Sequence, residues 1–518
     1  MKLYPLSKSI IPLDWQKSLS DTIVSNLALD KSSYLRGGTG IGKMYITCQS
    51  VYDGLRLDFI QKYEASILPM PILWLTPKNV KPRTAEVIAD YRLTGEIMLY
   101  SYSELTSGMG GLYITWINDI VTGVKTPIWN INTLPAVVIC DEAHFLKNPD
   151  SLRSRVIRAL PKTVKVIFAS ATPFQRVADA QTMLEAFQVV SKYNTVPASV
   201  ETSKRILGDI AYPKDPIEYS PSATKRLRDA IEPYMVEAKN VRFKHKATTK
   251  CVSIYFKNNE EQRAYIQLVQ DLIDNLKKRR RDDGTISAIH ILVERQKMQQ
   301  GAELLRCNQL VERALAKLPE KAVIIASNYR DTIAKCHNLL LEAGVDPKRI
   351  AIIQGGNDNK MAQDKFQSGE CDILLFTMKS GGVGISLHHD RVTTKPRYII
   401  LPPTWSAIDL VQALGRGHRL TTISPTEQEI LWYAGTIEDE VKLRVELKLN
   451  CITESITAKE QFSDTFTESI LEELESKVDL DELDAESIKA EQLPEAPDSD
   501  DILDDSNDYT GEGLSNNS

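Results

Sequence analysis

The sequence contains no apolar run long enough to cross a lipid bilayer, and no secretory signal is visible in it. Its seven cysteines are scattered and form no C-x-x-C pair, which argues against a zinc site and favours a reducing compartment. We therefore expect an intracellular protein in which cysteine serves packing rather than chemistry. The nucleus, the cytoplasm and a viral replication site all remain open.

Basic residues are scarce at the end of the chain. Residues 456–518 carry 20 acidic and three basic side chains, a net charge of −17, which leaves residues 1–455 at +11. A basic body is compatible with a polyanionic partner. Residues 462–474 have the spacing of an amphipathic helix, but polar and acidic residues dominate 476–518, which we expect to be disordered.

A glycine-rich stretch from Ser33 to Thr47, S-Y-L-R-G-G-T-G-I-G-K-M-Y-I-T, organises the rest of the chain. Glycines let backbone N–H groups approach phosphates, a helix N-terminus favours negative charge, and the lysine can reach the β- and γ-phosphates. The spacing G-x-x-x-x-G-K predicts a phosphate-binding loop, although a simple turn is the alternative. The predicted nucleotide-binding residues are Gly38, Thr39, Gly40, Ile41, Gly42, Lys43 and Met44.

Met44 departs from the phosphate-loop pattern, which calls for Ser or Thr after the lysine. The missing hydroxyl would have bound Mg²⁺, and a thioether is a poor ligand for a hard cation. Because the Met44 backbone N–H, Lys43 and Asp141 remain, we expect weakened rather than abolished binding.

Short apolar runs at 71–77, 96–102, 136–140 and 164–169 predict buried parallel strands. The run at 136–140 leads into D-E-A-H, at the strand end where ligands of open α/β sheets bind. Asp141 can hold Mg²⁺ through water, and Glu142 can orient and deprotonate an attacking water. Two acids after a strand are otherwise an ordinary solvated loop.

Upstream of the loop, residues 11–29 have a helical pattern, with Asp14 as the predicted N-cap. The planar amide of Gln16 could read an adenine edge through paired hydrogen bonds, or it could lie on the helix surface.

Residues 174–318 are mainly helical and basic, and include K-K-R-R-R at 277–281. That run could contact phosphates or act as a nuclear-import signal, although a solvated helix face is the commoner role. Apolar runs then alternate with helical segments, which predicts a second parallel sheet. Its predicted strands are 321–327, 350–354, 372–377 and 397–401.

The second unit has no phosphate loop of its own, but it ends in Q-A-L-G-R-G-H-R at 412–419. Arg416 and Arg419 are three residues apart and would share one face of a helix. Two guanidinium groups without a nearby acid fit a γ-phosphate supplied by another domain, in the role of an arginine finger.

The order of these motifs resembles the superfamily 2 helicase-type ATPases. The matching motifs are G-G-T-G-I-G-K at 37–43, D-E-A-H at 141–144, S-A-T-P at 170–173, S-G-G-V-G at 380–384 and Q-A-L-G-R-G-H-R. Three looser matches are most similar to the Swi/Snf-type translocases: P-Y-M-V-E-A-K at 233–239, N-N-E-E-Q-R-A-Y at 258–265 and G-T-I-E-D-E-V at 435–441. The resemblance covers about residues 10–455.

The resemblance implies an α/β protein with two RecA-like parallel-sheet lobes, at 1–220 and 319–455. A helical insertion at 221–318 would separate them, and the acidic tail would follow from 456. ATP and Mg²⁺ would bind between the lobes, the second of which would contribute Gly384, Gln412, Arg416 and Arg419.

Swi/Snf-type proteins couple closure of the lobes to tracking along duplex DNA, so the resemblance implies a DNA translocase or helicase. An RNA helicase and a nucleotide-binding subunit with little ATPase activity are the alternatives. The acidic tail could instead bind a protein partner.

Deleting residues 476–518 should tighten nucleic-acid binding at low salt and steepen the loss of affinity as salt rises, with basal ATPase nearly unchanged. The tether keeps an acidic tail at high effective concentration near a cationic groove, and salt weakens that competition. Binding isotherms of full-length and truncated protein at several salt concentrations measure the effect. Superimposable curves would instead indicate a solubilising tail or a partner-docking site.

Overall fold

The structure is a computed structural model, and it describes residues 12–60, 71–118, 124–189, 221–237, 243–279, 288–354, 359–381, 385–390 and 395–456. The predicted 476–518 segment, the 462–474 helix and Gly384 lie outside these ranges, as do residues 280 and 281 of the basic run.

Within the described ranges, the first half of the chain supplies eight strands: β1 (Ser33–Arg36), β2 (Ile72–Thr76), β3 (Ile97–Ser101), β4 (Ile114–Asn118), β5 (Lys125–Trp129), β6 (Val137–Asp141), β7 (Lys165–Ser170) and β8 (Met235–Glu237). Six of them form a parallel sheet in the order β3-β2-β6-β7-β1-β8, while β4 and β5 form a separate antiparallel hairpin. The helices of this half are α1 (Asp14–Ala28), α2 (Lys43–Arg56), α3 (Lys81–Asp90), α4 (Tyr102–Thr106), α5 (Leu152–Arg158), α6 (Gln181–Ala186) and α7 (Pro221–Ile231).

The second half contains a further parallel sheet of six strands, in the order β11-β12-β10-β13-β14-β9. These strands are β9 (Ala247–Ile254), β10 (Ala322–Ser327), β11 (Ile350–Ile353), β12 (Ile373–Thr377), β13 (Arg397–Leu401) and β14 (Thr426–Tyr433). Its helices are α8 (Asn259–Lys278), α9 (Ala288–Lys317), α10 (Arg330–Glu342), α11 (Asn359–Ser368), α12 (Met378–Gly381), α13 (Ala407–Leu414) and α14 (Ile437–Ile456).

The predicted α/β architecture with two parallel-sheet lobes is therefore confirmed. The strands expected from apolar runs form within one residue of their predicted ends. Every residue of β2, β6, β7, β10, β12 and β13 is buried, as expected for parallel strands covered on both faces.

The segment predicted as a helical insertion, 221–318, contains three helices and also two strands that the sequence reasoning missed. Strand β8 pairs with β1 at the edge of the first sheet, and β9 pairs with β14 at the edge of the second. Both escaped notice because β8 has only three residues and β9 reads A-T-T-K-C-V-S-I, without a continuous apolar run. The proposed lobe boundaries remain predictions.

The predicted N-cap at Asp14 is wrong. Helix α1 begins at Asp14, and Leu13 occupies the N-cap position. An apolar residue can stand there because the side-chain oxygen of Gln16 accepts a hydrogen bond from the Leu13 N–H at 3.1 Å.

A fully buried ion pair connects α9 to the start of α14. The guanidinium Nη1 of Arg306 donates to both carboxylate oxygens of Glu438, and both side chains are fully buried. The Glu438 carboxylate also accepts a hydrogen bond from the Tyr433 N–H at 2.8 Å. Burial raises the pKa of Glu438, against the lowering effect of Arg306. The pair stabilises the fold only while both partners are present, because a lone buried charge is costly.

Replacing Glu438→Gln should destabilise the protein by about 3–5 kcal/mol, because Arg306 is left as an uncompensated buried charge. Urea unfolding measures the loss, and Glu312→Gln is a matched control in the exposed Lys257–Glu312 pair. The double change Arg306→Met with Glu438→Leu should cost less than Glu438→Gln. A Glu438→Gln protein as stable as the control variant would contradict the assignment.

Candidate active site

The glycine-rich loop joins the end of β1 to the first residue of α2, Lys43, as the sequence predicts. Gly40 and Gly42 have φ angles of 83° and 85°, in the left-handed region where a side chain would be strained. The Lys43 ammonium turns back over the loop and donates to the carbonyl oxygens of Gly37 at 3.0 Å and Gly38 at 3.2 Å. The loop therefore surrounds a cation at the N-terminus of a helix.

Asp141 is the last residue of β6, so it lies with the loop at the carboxyl ends of the parallel strands. Its Oδ2 accepts a hydrogen bond from the Thr76 hydroxyl at 3.2 Å, and its Oδ1 accepts one from the Glu142 N–H at 3.1 Å. The hydroxyl of Tyr102 donates to the Asp141 carbonyl oxygen at 2.8 Å. Sequence reasoning missed Thr76 and Tyr102. Thr76 was recognisable in principle, because it ends the neighbouring strand β2 on the same side of the sheet.

Glu142 has a φ angle of 51°, an uncommon conformation for a residue with a side chain and one that recurs at functional sites. Its Oε2 lies 3.4 Å from Nδ1 of His144. Burial would raise the pKa of Glu142, but the hydrogen bond and charge of His144, together with Lys43 and Arg416, lower it overall. Burial and the adjacent Glu142 raise the pKa of Asp141. Adjacent carboxyl groups with opposite pKa shifts are suited to separate roles.

Arg416 and Arg419 do not lie on a helix, so the prediction of a shared helix face is wrong. Helix α13 ends at Leu414, and Gly415 follows as its C-cap. The two guanidinium groups nevertheless converge, because Arg416 Nη1 and Arg419 Nη2 donate to the carbonyl oxygen of Ile385 at 3.1 and 2.9 Å. The Ile385 carbonyl was not predictable from residue types, since any residue could supply it.

Arg416 is buried, Arg419 is partly buried, and each lies in the positive field of the other. Burial lowers the pKa of Arg416 to about 9, and the neighbouring Arg419 lowers it in the same direction. Burial likewise lowers the pKa of Arg419 to about 10, so both guanidinium groups stay protonated at neutral pH. Among the described residues, neither buried Nε atom has a hydrogen-bond partner. A bound anion would neutralise the positive charge and accept hydrogen bonds from the Nε atoms.

The two lobes meet directly at this site. Gln412, on α13, places its Nε2 3.3 and 3.4 Å from the two ring nitrogens of His144. The side chain of Arg419 lies over Gly40 of the glycine-rich loop. The structure thus brings Lys43, the two acids and the two arginines to one interface.

Gln16 lies against the glycine-rich loop rather than on an open surface. Its Nε2 donates to the carbonyl oxygen of Ile41 at 3.0 Å, while its Oε1 accepts from the Leu13 N–H. Both halves of the amide therefore have protein partners, and adenine recognition by Gln16 remains a prediction.

Met44 is partly buried and packs against the apolar core of the first lobe, as Trp15 and Tyr45 also do. Among the described residues, no group of three or more His, Cys, Asp or Glu side chains could hold a metal ion by itself. The role of Asp141 as the residue that holds Mg²⁺ therefore remains a prediction.

Comparison with known proteins places this site in a family. Residues 75–304 match the SNF2-related domain, and residues 305–421 match the helicase conserved C-terminal domain. The chain thus has the two parts of a superfamily 2 helicase-type ATPase. Within that class it belongs to the SNF2-related family. Neither match includes the glycine-rich loop at 37–43.

Two curated relatives match parts of the chain. One is the "Putative ATP-dependent RNA helicase L364" of Acanthamoeba polyphaga mimivirus, 35% identical over 145 residues, which are 28% of this chain and 26% of that protein. The other is the "Chromodomain-helicase-DNA-binding protein 1-like" of Danio rerio, 22% identical over 349 residues, which are 63% of this chain and 32% of that protein. The matches span about a third or less of either relative.

Among solved structures, the chain is similar to the "Sulfolobus solfataricus SWI2/SNF2 ATPase core in complex with dsDNA", with 16% identity and a TM-score of 0.35 over 92% of this chain and 99% of that one. No helix in the described ranges is both long and apolar enough to cross a membrane.

Proposed function

We propose that the protein is an ATP hydrolase that moves along nucleic acid, with ATP bound between its two lobes. The observation that carries the proposal is the convergence of Lys43, Arg416 and Arg419 from opposite sides of one buried interface. Three cations, two of which have an Nε donor without a partner among the described residues, fit a polyphosphate. Because the cations come from both lobes, binding and loss of the γ-phosphate would favour closing and opening.

The residues of the site divide into roles by their geometry. Lys43 and the loop N–H groups would hold the β- and γ-phosphates. Asp141 would hold Mg²⁺ through water, and the metal when bound would neutralise phosphate charge. Glu142, kept ionised by His144 and the surrounding cations, would orient the attacking water and accept its proton. Arg416 and Arg419 would stabilise charge on the γ-phosphate, while Gln412, on the preceding helix α13, would contact His144.

Duplex DNA is our proposed substrate, since the chain belongs to the SNF2-related family and one relative is named a DNA-binding protein. The name of the mimivirus relative favours an RNA helicase as the second candidate. Met44 motivates a third, a nucleotide-binding subunit, but such a subunit would not need the water-orienting acid and the paired arginines. ATPase assays stimulated by duplex DNA, single-stranded DNA or RNA separate these candidates.

Glu142→Gln should stop turnover while ATP remains bound, because the amide keeps the size of the side chain but cannot accept a proton. Single-turnover hydrolysis and retention of labelled ATP on a filter measure the two effects. Glu312→Gln, at an exposed glutamate distant in sequence, is the matched control. Unchanged turnover would remove Glu142 from the role of general base.

Met44→Thr should lower the Mg²⁺ concentration that gives half-maximal ATPase activity, because it restores a hydroxyl at the metal position. Titration of Mg²⁺ at saturating ATP measures the change, and Met44→Leu, which retains an apolar side chain, is the control. If activity falls in both variants alike, packing of Met44 against the first-lobe core, rather than metal binding, determines the effect.

A further inference from the structure

Two glycines, one in each lobe, lie directly beneath a side chain of the opposite lobe. A Cβ atom on Gly40 would lie 2.2 Å from Cδ of Arg419, and one on Gly415 would lie 2.1 Å from Oγ1 of Thr39. Side-chain atoms do not approach each other so closely, so each glycine makes room for the other lobe. Both contacts therefore join the same two lobes.

Gly415 is the more informative of the two because its backbone does not require glycine. Its φ and ψ angles are −67° and −9°, a helical conformation that any residue adopts. The three atoms nearest to its missing Cβ are Oγ1, Cβ and Cγ2 of Thr39, at 2.1, 2.8 and 3.1 Å. Gly40 differs because its left-handed φ angle by itself favours glycine. Gly417 differs because a Cβ there would meet Ile399 of its own lobe.

We propose that Gly415 is a positioning residue that sets how closely the two lobes can approach. This inference rests on the proposed ATPase function, which needs the arginines of one lobe to reach the phosphate loop of the other. Without a side chain at 415, the backbone lies against Thr39 and carries the adjacent Arg416 into the interface. The glycine is therefore required by the opposite lobe and not by its own.

The size of the effect follows from the distances. Ordinary van der Waals contact begins near 3.4 Å. Rotation of the Thr39 side chain can move its Oγ1 but not its Cβ, which is 2.8 Å away, so an alanine at 415 requires Thr39 and the Arg416 segment to separate by about 0.6 Å. Misplacement of a reacting group by about 1 Å can cost about 100-fold in rate. The loop and its helix belong to the first lobe and stay intact, so binding of ATP should be affected much less than turnover.

Gly415→Ala should lower kcat by about 10- to 100-fold and change the Kd of a fluorescent ATP analogue by less than about threefold. Gly95→Ala is the matched control, because a Cβ at Gly95 would meet no atom within 4 Å. Thermal unfolding should be unchanged in both variants, since alanine suits the backbone of Gly415. A Gly415→Ala enzyme with wild-type kcat would overturn the proposal.

A double-mutant cycle tests whether Thr39 is the obstacle. Thr39 belongs to the phosphate loop, so Thr39→Gly alone should lower activity, but it also removes the three atoms nearest to the new Cβ. Adding Gly415→Ala in that background should change kcat by less than about threefold. An equal loss in both backgrounds would show that Gly415 acts elsewhere, and the proposal would fail.

Cross-linking tests how closely the two lobes approach each other and does not depend on ATP hydrolysis. The ideal Cβ of Gly415 and the Cβ of Thr39 are 2.8 Å apart, and a disulfide places the two Cβ atoms at about 3.5–4.5 Å. A protein with Thr39→Cys and Gly415→Cys should therefore cross-link on mild oxidation, while either single variant should not, since six of the seven native cysteines are buried. Cross-linking of this double variant, together with a wild-type protein that does not hydrolyse ATP, would retain the close approach and reject the proposed function. Absence of cross-linking would reject the close approach.

Discussion

The structure of the site depends on placing like charges together in a buried interface. Arg416 is buried and Lys43 and Arg419 are partly buried, and removal from water disfavours the charged form of each. The fold opposes this cost with Glu142, whose carboxylate favours the protonated form of all three. Asp141 also favours the protonated form of Lys43. Two carboxylates do not balance three cations, so the interface retains the electrostatic preference for an anion that a phosphate site needs.

The two sheets determine where these charges can be. In a parallel sheet the carboxyl ends of all strands lie on the same side. The glycine-rich loop after β1, Thr76 at the end of β2 and Asp141 at the end of β6 therefore meet there. The second lobe supplies its arginines from the backbone beyond α13, held by one carbonyl oxygen. The first lobe thus provides regular supports for its site residues, and the second provides a loop whose position depends on contact with the first.

Much of this arrangement could be predicted from sequence, because apolar runs mark strands and the chemistry-bearing residues follow their ends. The strand that delivers Asp141 and the loop that opens α2 both formed where the pattern indicated. The helix predicted for Arg416 and Arg419 did not form, because α13 ends at Leu414, before either arginine. Contacts such as that of Tyr102 with the Asp141 carbonyl connect residues distant in sequence, and no local pattern encodes them.

Strands β8 and β9, each at the edge of its sheet, determine where this protein can be divided into fragments. The boundary between the two family matches, at residues 304 and 305, falls inside α9, well after β9 has joined the second sheet. A fragment that begins at 305 would lose its partner strand for β14 and the first half of the helix that carries Arg306. Its exposed β14 edge would then be free to pair with other chains. The smallest autonomous second lobe therefore begins before Ala247, far upstream of the border that homology suggests.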